Sequence, residues 1–158
     1  MVNLKKMSAG EFAAYRQCFI LEYAQDLQDS RGYNEEKARA IATQSIDIAL
    51  PQGPDTAENT LWCIHADNTD PVIGYLWVVF NQQSVWVSDF FLLPAWRGLG
   101  LGKASLLEME AAVAAVGINE IGLRVAVNNQ SAKALYEKIG FQTTGFNMNK
   151  ILNSDRQK

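Results

Sequence analysis

The chain has 158 residues, 48% apolar and 20% charged, which is long enough for one domain with a substantial core and reads as a soluble globular protein. Its formal net charge of −3 supplies no field to gather nucleic acid or an anionic membrane surface, so neither is expected as a partner. No apolar run approaches the ~20 residues of a membrane helix, and no apolar run follows Lys5 and Lys6, so no secretory signal is expected and the cytoplasm is the expected compartment.

Cys18 and Cys63 lie far apart without metal-ligand spacing, so both read as reduced, buried thiols and no metal is expected. Residues 2–7 suit a short strand. Ser8 and Glu11 fit a capping box. Phe12, Tyr15, Phe19, Tyr23 and Leu27 then recur at helical spacing, predicting a helix to about Ser30. Asn34 caps a second helix whose stripe is Ala38, Ile41, Ala42, Ser45, Ile48 and Ala49, and Leu50-Pro51 stops it. Residues 52–59 read as a loop. Residues 60–66 and 72–80 read as a hairpin around a turn at 67–71, and 85–93 completes a meander that ends at Pro94. A helix over 100–116 buries Leu106, Met109, Val113 and Val116, with Gly117 as its stop. A strand over 120–127, a helix over 131–139 and a last strand or two over 141–152 follow, with a polar tail from about 153. The order β-α-α-β-β-β-α-β-α-β predicts an α/β protein of the α+β kind. A mixed sheet would carry helices on it in one domain over 1–158.

The turn Arg97-Gly98-Leu99-Gly100-Leu101-Gly102-Lys103 follows an apolar strand and opens a helix, a common way to bind phosphate. A dinucleotide fingerprint needs a third glycine where Lys103 stands. A P-loop needs a glycine at Arg97 and a hydroxyl at Ala104, so both positions fail. The pattern [RQ]-x-x-G-x-[GA] matches from Arg97 to Gly102. Successive N–H groups of such a turn can enclose a pyrophosphate; the plain alternative is a tight strand-to-helix turn.

A second motif is Asn129-Gln130-Ser131-Ala132-Lys133-Ala134-Leu135-Tyr136-Glu137-Lys138-Ile139-Gly140-Phe141, which fits N-x-x-A-x-x-L-Y-x-K-x-G-F. With both motifs in this order, the chain resembles the GNAT family of N-acetyltransferases along essentially its whole length. The resemblance implies a mostly antiparallel central sheet flanked by helices, an acyl-CoA N-acyltransferase-like fold. It implies direct acetyl transfer from acetyl-CoA, the cosubstrate, to a primary amine carried by a small molecule or a peptide. A non-catalytic acyl-CoA-binding sensor and a transferase of a longer acyl group are the alternatives.

Residue by residue, the resemblance implies that the N–H groups of Leu99, Gly100, Leu101, Gly102 and Lys103 hold the pyrophosphate. Arg97 would bond the loop itself or the phosphates, and Gly98 shapes the turn. The backbones of Phe91 and Leu92 would pair with pantetheine amides as an added strand, in a gap where neighbouring parallel strands splay. Asn129 would bond the pantetheine arm, cap the following helix, or both. Tyr136 matches the general acid that protonates the departing sulfur. Asp89, the only carboxylate on the strand before the loop, is the candidate base, with a water chain as the alternative. His65 reads as a surface or half-buried residue. The acceptor surface would come from residues 15–33 and 143–150. Glu22, Asp26 and Asp29 lie on one helix face there, either to attract a cation or simply as a solvated face. Family members often dimerise through their last strands, which makes a homodimer one candidate assembly.

Overall fold

A computed structural model describes residues 2–67 and 71–152. Strand β1 (Val2–Lys6) runs into helix α1 (Ala9–Arg31) through the capping box. The Glu11 N–H donates to Ser8 Oγ at 3.1 Å, and the Ser8 N–H donates to Glu11 Oε1 at 2.9 Å. Both donors lie at the helix start, where N–H groups lack an acceptor four residues back, and the Glu11 N–H shares its bond with Ser8 O at 3.1 Å. The bond from the Ser8 N–H is the main cause holding the Glu11 carboxyl below its ordinary range. Ser8→Ala should lower the thermal midpoint by about 2–4 °C, the shift about 1 kcal/mol produces in a chain of this size. An unchanged melt would deny the box any part in stability.

Helix α2 (Glu35–Ala49) starts where Asn34 Oδ1 accepts the Lys37 N–H at 2.8 Å, as expected. Ala38 and Ala42 are buried as expected, but Ile46 completes the buried stripe in place of Ile41, Ser45, Ile48 and Ala49. Ile48 sits about 120° around the helix from Ala42 at 3.6 residues per turn and is 70% exposed. The bidentate bond of Arg16 to Asp47, at 2.8 and 2.9 Å, joins α1 to α2.

Strands β2 (Asn59–Ala66), β3 (Gly74–Asn81) and β4 (Ser84–Leu92) follow, with a 3-10 turn at Gly53–Asp55 before them. The turn expected over 67–71 lies partly outside the described residues. Helix α3 (Leu101–Ala114) buries Leu101, Ser105, Leu106, Met109 and Val113 and lies against β1. Val116 is 70% exposed, not buried, because the helix closes before it. The Gly117 N–H bonds Ala114 O and the Ile118 N–H bonds Val113 O, with Gly117 at φ 95°. This paired closure needs a left-handed residue, which glycine supplies.

Strand β5 (Glu120–Leu123) is half the expected length, and helix α4 (Gln130–Lys138) comes after it. The sheet order is β1-β2-β3-β4-β5. Its first four strands are antiparallel and β5 runs parallel to β4, so the fold is the mixed, mostly antiparallel sheet with flanking helices that the sequence predicts.

The last strand or two expected over 141–152 do not form; those described residues join no sheet, and Met148 is 94% exposed. Gly145, Asn147 and Asn149, types depleted in strands, interrupt this stretch around Phe146 and Met148. The polar tail from 153 lies outside the described residues.

Two compact units make up the chain: Met1–Tyr15 with Leu50–Arg124, and Arg16–Ala49 with Val125–Lys158. The first holds the whole sheet and α3. The second holds most of α1, α2 and α4. Among the described residues, no helix is long and apolar enough to cross a membrane.

Candidate active site

In the sheet unit, the site is built on β4. Trp77 pairs with Asp89 but Val78 pairs with Val87, so Ser88 is an extra residue in a β-bulge. Val87 and Asp89 would share a face in a regular strand. The bulge instead turns Asp89 onto the face of Trp77, Tyr75 and Phe91. The bulge also marks where the sheet opens. Strand β5 pairs with β4 from Ser84 to Val87 and stops, whereas β3 pairs with β4 out to Leu92. Among the described residues, 88–92 therefore have a strand partner on one side only. Their other edge presents main-chain N–H and C=O groups, the condition for pairing with an extended ligand.

β3 and β4 pack closely at this open end. Gly74 pairs with Leu92, and a Cβ on Gly74 would overlap the Phe91 carbonyl oxygen. It would also lie 2.8 Å from a Leu92 methyl carbon and 3.1 Å from Leu92 Cα. Arg97 closes the strand end from the other direction. Its Nε–H donates to Leu92 O at 2.8 Å, and its guanidinium lies 4.9 Å from the centre of the Phe91 ring. This bond ties Arg97 to the last residue of β4.

After a 3-10 turn at Pro94–Trp96, Gly98 and Gly100 take φ of 76° and 80°. No atom lies within 4 Å of where a Cβ would stand on either, so these glycines are required by backbone conformation and not by crowding. Gly100 is the N-cap of α3 and has no side chain to give. The Ala104 N–H donates to Gly100 O at 3.3 Å, closing the first turn of the helix. The N–H groups of Leu101, Gly102 and Lys103 belong to the helix turn that has no intrahelical acceptor, at the positive end of the dipole. Leu99 and Lys103 are exposed here. A main-chain edge running into an anion-binding turn suits an extended amide chain that ends in phosphate.

Asp89 has a partner that the residues of its own strand do not announce. The Tyr15 hydroxyl of α1 donates to Asp89 Oδ2 at 2.7 Å. Helical spacing places Tyr15 on the buried face, and a buried tyrosine hydroxyl needs an acceptor, which is the signal available in sequence. His65, expected at or near the surface, is buried on β2. Cys63 is buried as expected, and its thiol is pushed up to about 12 by burial first and then by the Glu11 carboxylate. Its thiolate fraction at pH 8 is then on the order of one in ten thousand. Cys18, also expected to be buried, is instead part-exposed, so iodoacetamide at pH 8 should label it well ahead of Cys63 in the folded protein. Mass spectrometry reads the ratio, and faster labelling of Cys63 would contradict its burial. Among the described residues, no group of three or more His, Cys, Asp or Glu is placed to hold a metal ion.

In the second unit, Asn129 caps α4, with Oδ1 accepting the Ala132 N–H at 3.2 Å. Tyr136 is half-buried on α4, and its ring meets Phe141 edge-on at 5.7 Å. The Phe141 N–H bonds Tyr136 O at 2.9 Å and Gly140 takes φ 110°, so the G-F end of the second motif closes the helix and braces the tyrosine.

Residues 19–141 match the model of the acetyltransferase (GNAT) family. The chain is 31% identical over 155 residues to YycN of Bacillus subtilis, named as an uncharacterized N-acetyltransferase, covering 96% of this chain and 99% of that protein. It is 28% identical over 154 residues to a second such protein of the same organism, YdgE, covering 95% and 98%. A crystal structure of YycN superposes with a TM-score of 0.89 at 30% identity, over 97% of this chain and 99% of that one. The PaiA N-acetyltransferase of Thermoplasma acidophilum, solved with coenzyme A, shares the fold with a TM-score of 0.70 at 19% identity, over 93% of each chain.

Proposed function

The chain belongs to the acetyltransferase (GNAT) family, with the general acetyl-CoA-dependent acyltransferase activity of that family, and on that premise we propose that it moves acetyl directly from acetyl-CoA to a primary amine. The observation that carries this is the open edge of β4 at residues 88–92, leading through Gly98 and Gly100 into the N-terminus of α3. Edge, turn and helix end match in order the pantetheine arm and pyrophosphate of coenzyme A, the ligand named for the PaiA structure. The whole chain is taken as one acetyltransferase domain, which the end-to-end likeness to YycN supports.

Acetyl-CoA supplies an acyl thioester, and each of the chain's residues then has a task. Main-chain groups of Phe91 and Leu92 hold the arm in line with the strand. The N–H groups of residues 99–103 hold the pyrophosphate, with Gly98 setting the turn and Arg97 bracing Leu92. An N–H near Leu92 takes the negative charge that develops on the carbonyl oxygen. Asp89 accepts the proton that the amine must lose, because an ammonium nitrogen has no lone pair to attack with. Tyr136 gives a proton to the sulfur as the C–S bond breaks, and Asn129 bonds the pantetheine arm while capping α4.

A thiol-release screen of small amines and peptides with acetyl-CoA tests the proposal. Release with at least one amine, accompanied by the acetylated product in mass spectra, is the expected result. Thermal stabilisation by acetyl-CoA with no release across the panel would make the chain an acyl-CoA-binding sensor instead. Faster turnover with longer acyl-CoA donors would reassign the donor.

A further inference from the structure

We propose that Tyr15 is a positioning residue that holds the Asp89 carboxylate in place to take the amine proton. The proposal rests on the transferase reading above and names a member of the same site. Asp89 sits at an unusual place in the sheet. The bulge at Ser88 carries it off the face of Val87 and onto the face where α1 begins, beside the edge that β5 leaves open. A short carboxylate on a bulged strand can turn about two bonds, so a fixed partner from another element can set its direction. Tyr15 can set it. Its side chain is 0% exposed, and its ring packs 4.9 Å from that of Tyr75 and 6.3 Å from that of Phe12. A ring so held fixes the position of its hydroxyl, and that hydroxyl donates to Asp89 Oδ2 at 2.7 Å.

The chemistry of the pair is asymmetric. A phenol presents one proton, and an ionised carboxylate offers about four acceptor positions. The bond from Tyr15 occupies one of those positions, on Oδ2, and orients the group through it. In the transfer step the amine nitrogen forms the new C–N bond as the C–S bond breaks. The proton lost from nitrogen goes to Asp89, and the sulfur leaves with a proton from the acid. Tyr15 keeps its own proton throughout and touches neither substrate, which is why it positions and does not catalyse.

Tyr15→Phe deletes only the hydroxyl and retains the ring against Tyr75 and Phe12. With an acceptor from the thiol-release screen, kcat should fall about tenfold while the KM for acetyl-CoA and its calorimetric affinity stay at the unaltered protein's values. The deciding measurement is a double-mutant cycle. In an Asp89→Asn background, Tyr15→Phe should cause no further fall in kcat. A further fall of the same size in that background would make Tyr15 a packing residue and overturn the proposal, as would an unchanged kcat in Tyr15→Phe alone. Asp89→Ala provides a second carboxylate-free background should the asparagine variant fail to fold. Turnover by the unaltered protein with full activity in both Asp89 variants would overturn the proposal and leave the transferase reading standing. Absence of thiol release by the unaltered protein with every amine would overturn both.

Discussion

Replacing Tyr136 with phenylalanine should cut kcat about a hundredfold, the lower part of the range for loss of a positioned general acid, and leave the affinity for acetyl-CoA near that of the unaltered protein. The expectation combines a chemical need with a local structural fact. Transfer to an amine expels a thiolate, and a tyrosine with an unperturbed pKa of ~10 can protonate sulfur as the bond breaks. The fact is that the Tyr136 ring is held edge-on by Phe141 in the closure of α4. Phenylalanine preserves that contact, and a thermal melt of the variant separates lost chemistry from lost stability. Steady-state thiol release gives kcat, and calorimetry with coenzyme A gives binding. Equal turnover in the two proteins would remove Tyr136 from the chemistry. A parallel loss of CoA affinity would make it a binding residue.

Features written in adjacent residues are legible in the sequence alone. The Ser8–Glu11 box, the Asn34 and Asn129 caps and the stops at Gly117 and Gly140 each rest on a side chain or glycine acting within five residues of itself. All appear with the expected bonds. The glycine turn is legible for the same reason, because Gly98 and Gly100 answer to local φ alone. What the sequence withholds depends on register between distant segments. The bulge at Ser88 is a mismatch between β3 and β4, and nothing in residues 84–92 by themselves announces it. The early end of β5 is a property of the sheet in the same way. The Tyr15–Asp89 bond spans 74 positions, so periodicity can bury Tyr15 but cannot name its acceptor. The α2 stripe fails on a finer point: Ile46 and Ile48 are both apolar, and only the angle around the axis separates the buried one from the exposed one.

Gly74 illustrates how much of the site lies in such long-range geometry, and it carries the second large expected effect. In sequence it is one glycine inside the strand expected over 72–80, with no motif around it. In the structure it faces Leu92 across the ladder, where its missing side chain admits the Phe91 carbonyl oxygen. A methyl group there would meet backbone as well as the Leu92 side chain, so no rotamer change can clear the clash and β3 or β4 must shift. Gly74→Ala should therefore destabilise by about 3 kcal/mol, at the upper end for overpacking, and lower the thermal midpoint by about 6–12 °C. The shift falls on the two residues whose main chain is assigned to the pantetheine arm. The KM for acetyl-CoA should then rise at least about tenfold in the fraction that folds, since a misplaced edge loses the alignment of several bonds at once. Leu93→Ala removes a side chain one residue beyond the pair and leaves the ladder intact, which makes it the control for nonspecific loss of packing. Thermal melts of the two variants, followed by acetyl-CoA titration below both midpoints, separate the contributions. A Gly74→Ala protein with the parent's KM would mean that the β3–β4 end can part by a few tenths of an ångström without disturbing the cosubstrate, and the main-chain pairing at Phe91 and Leu92 would have to be abandoned.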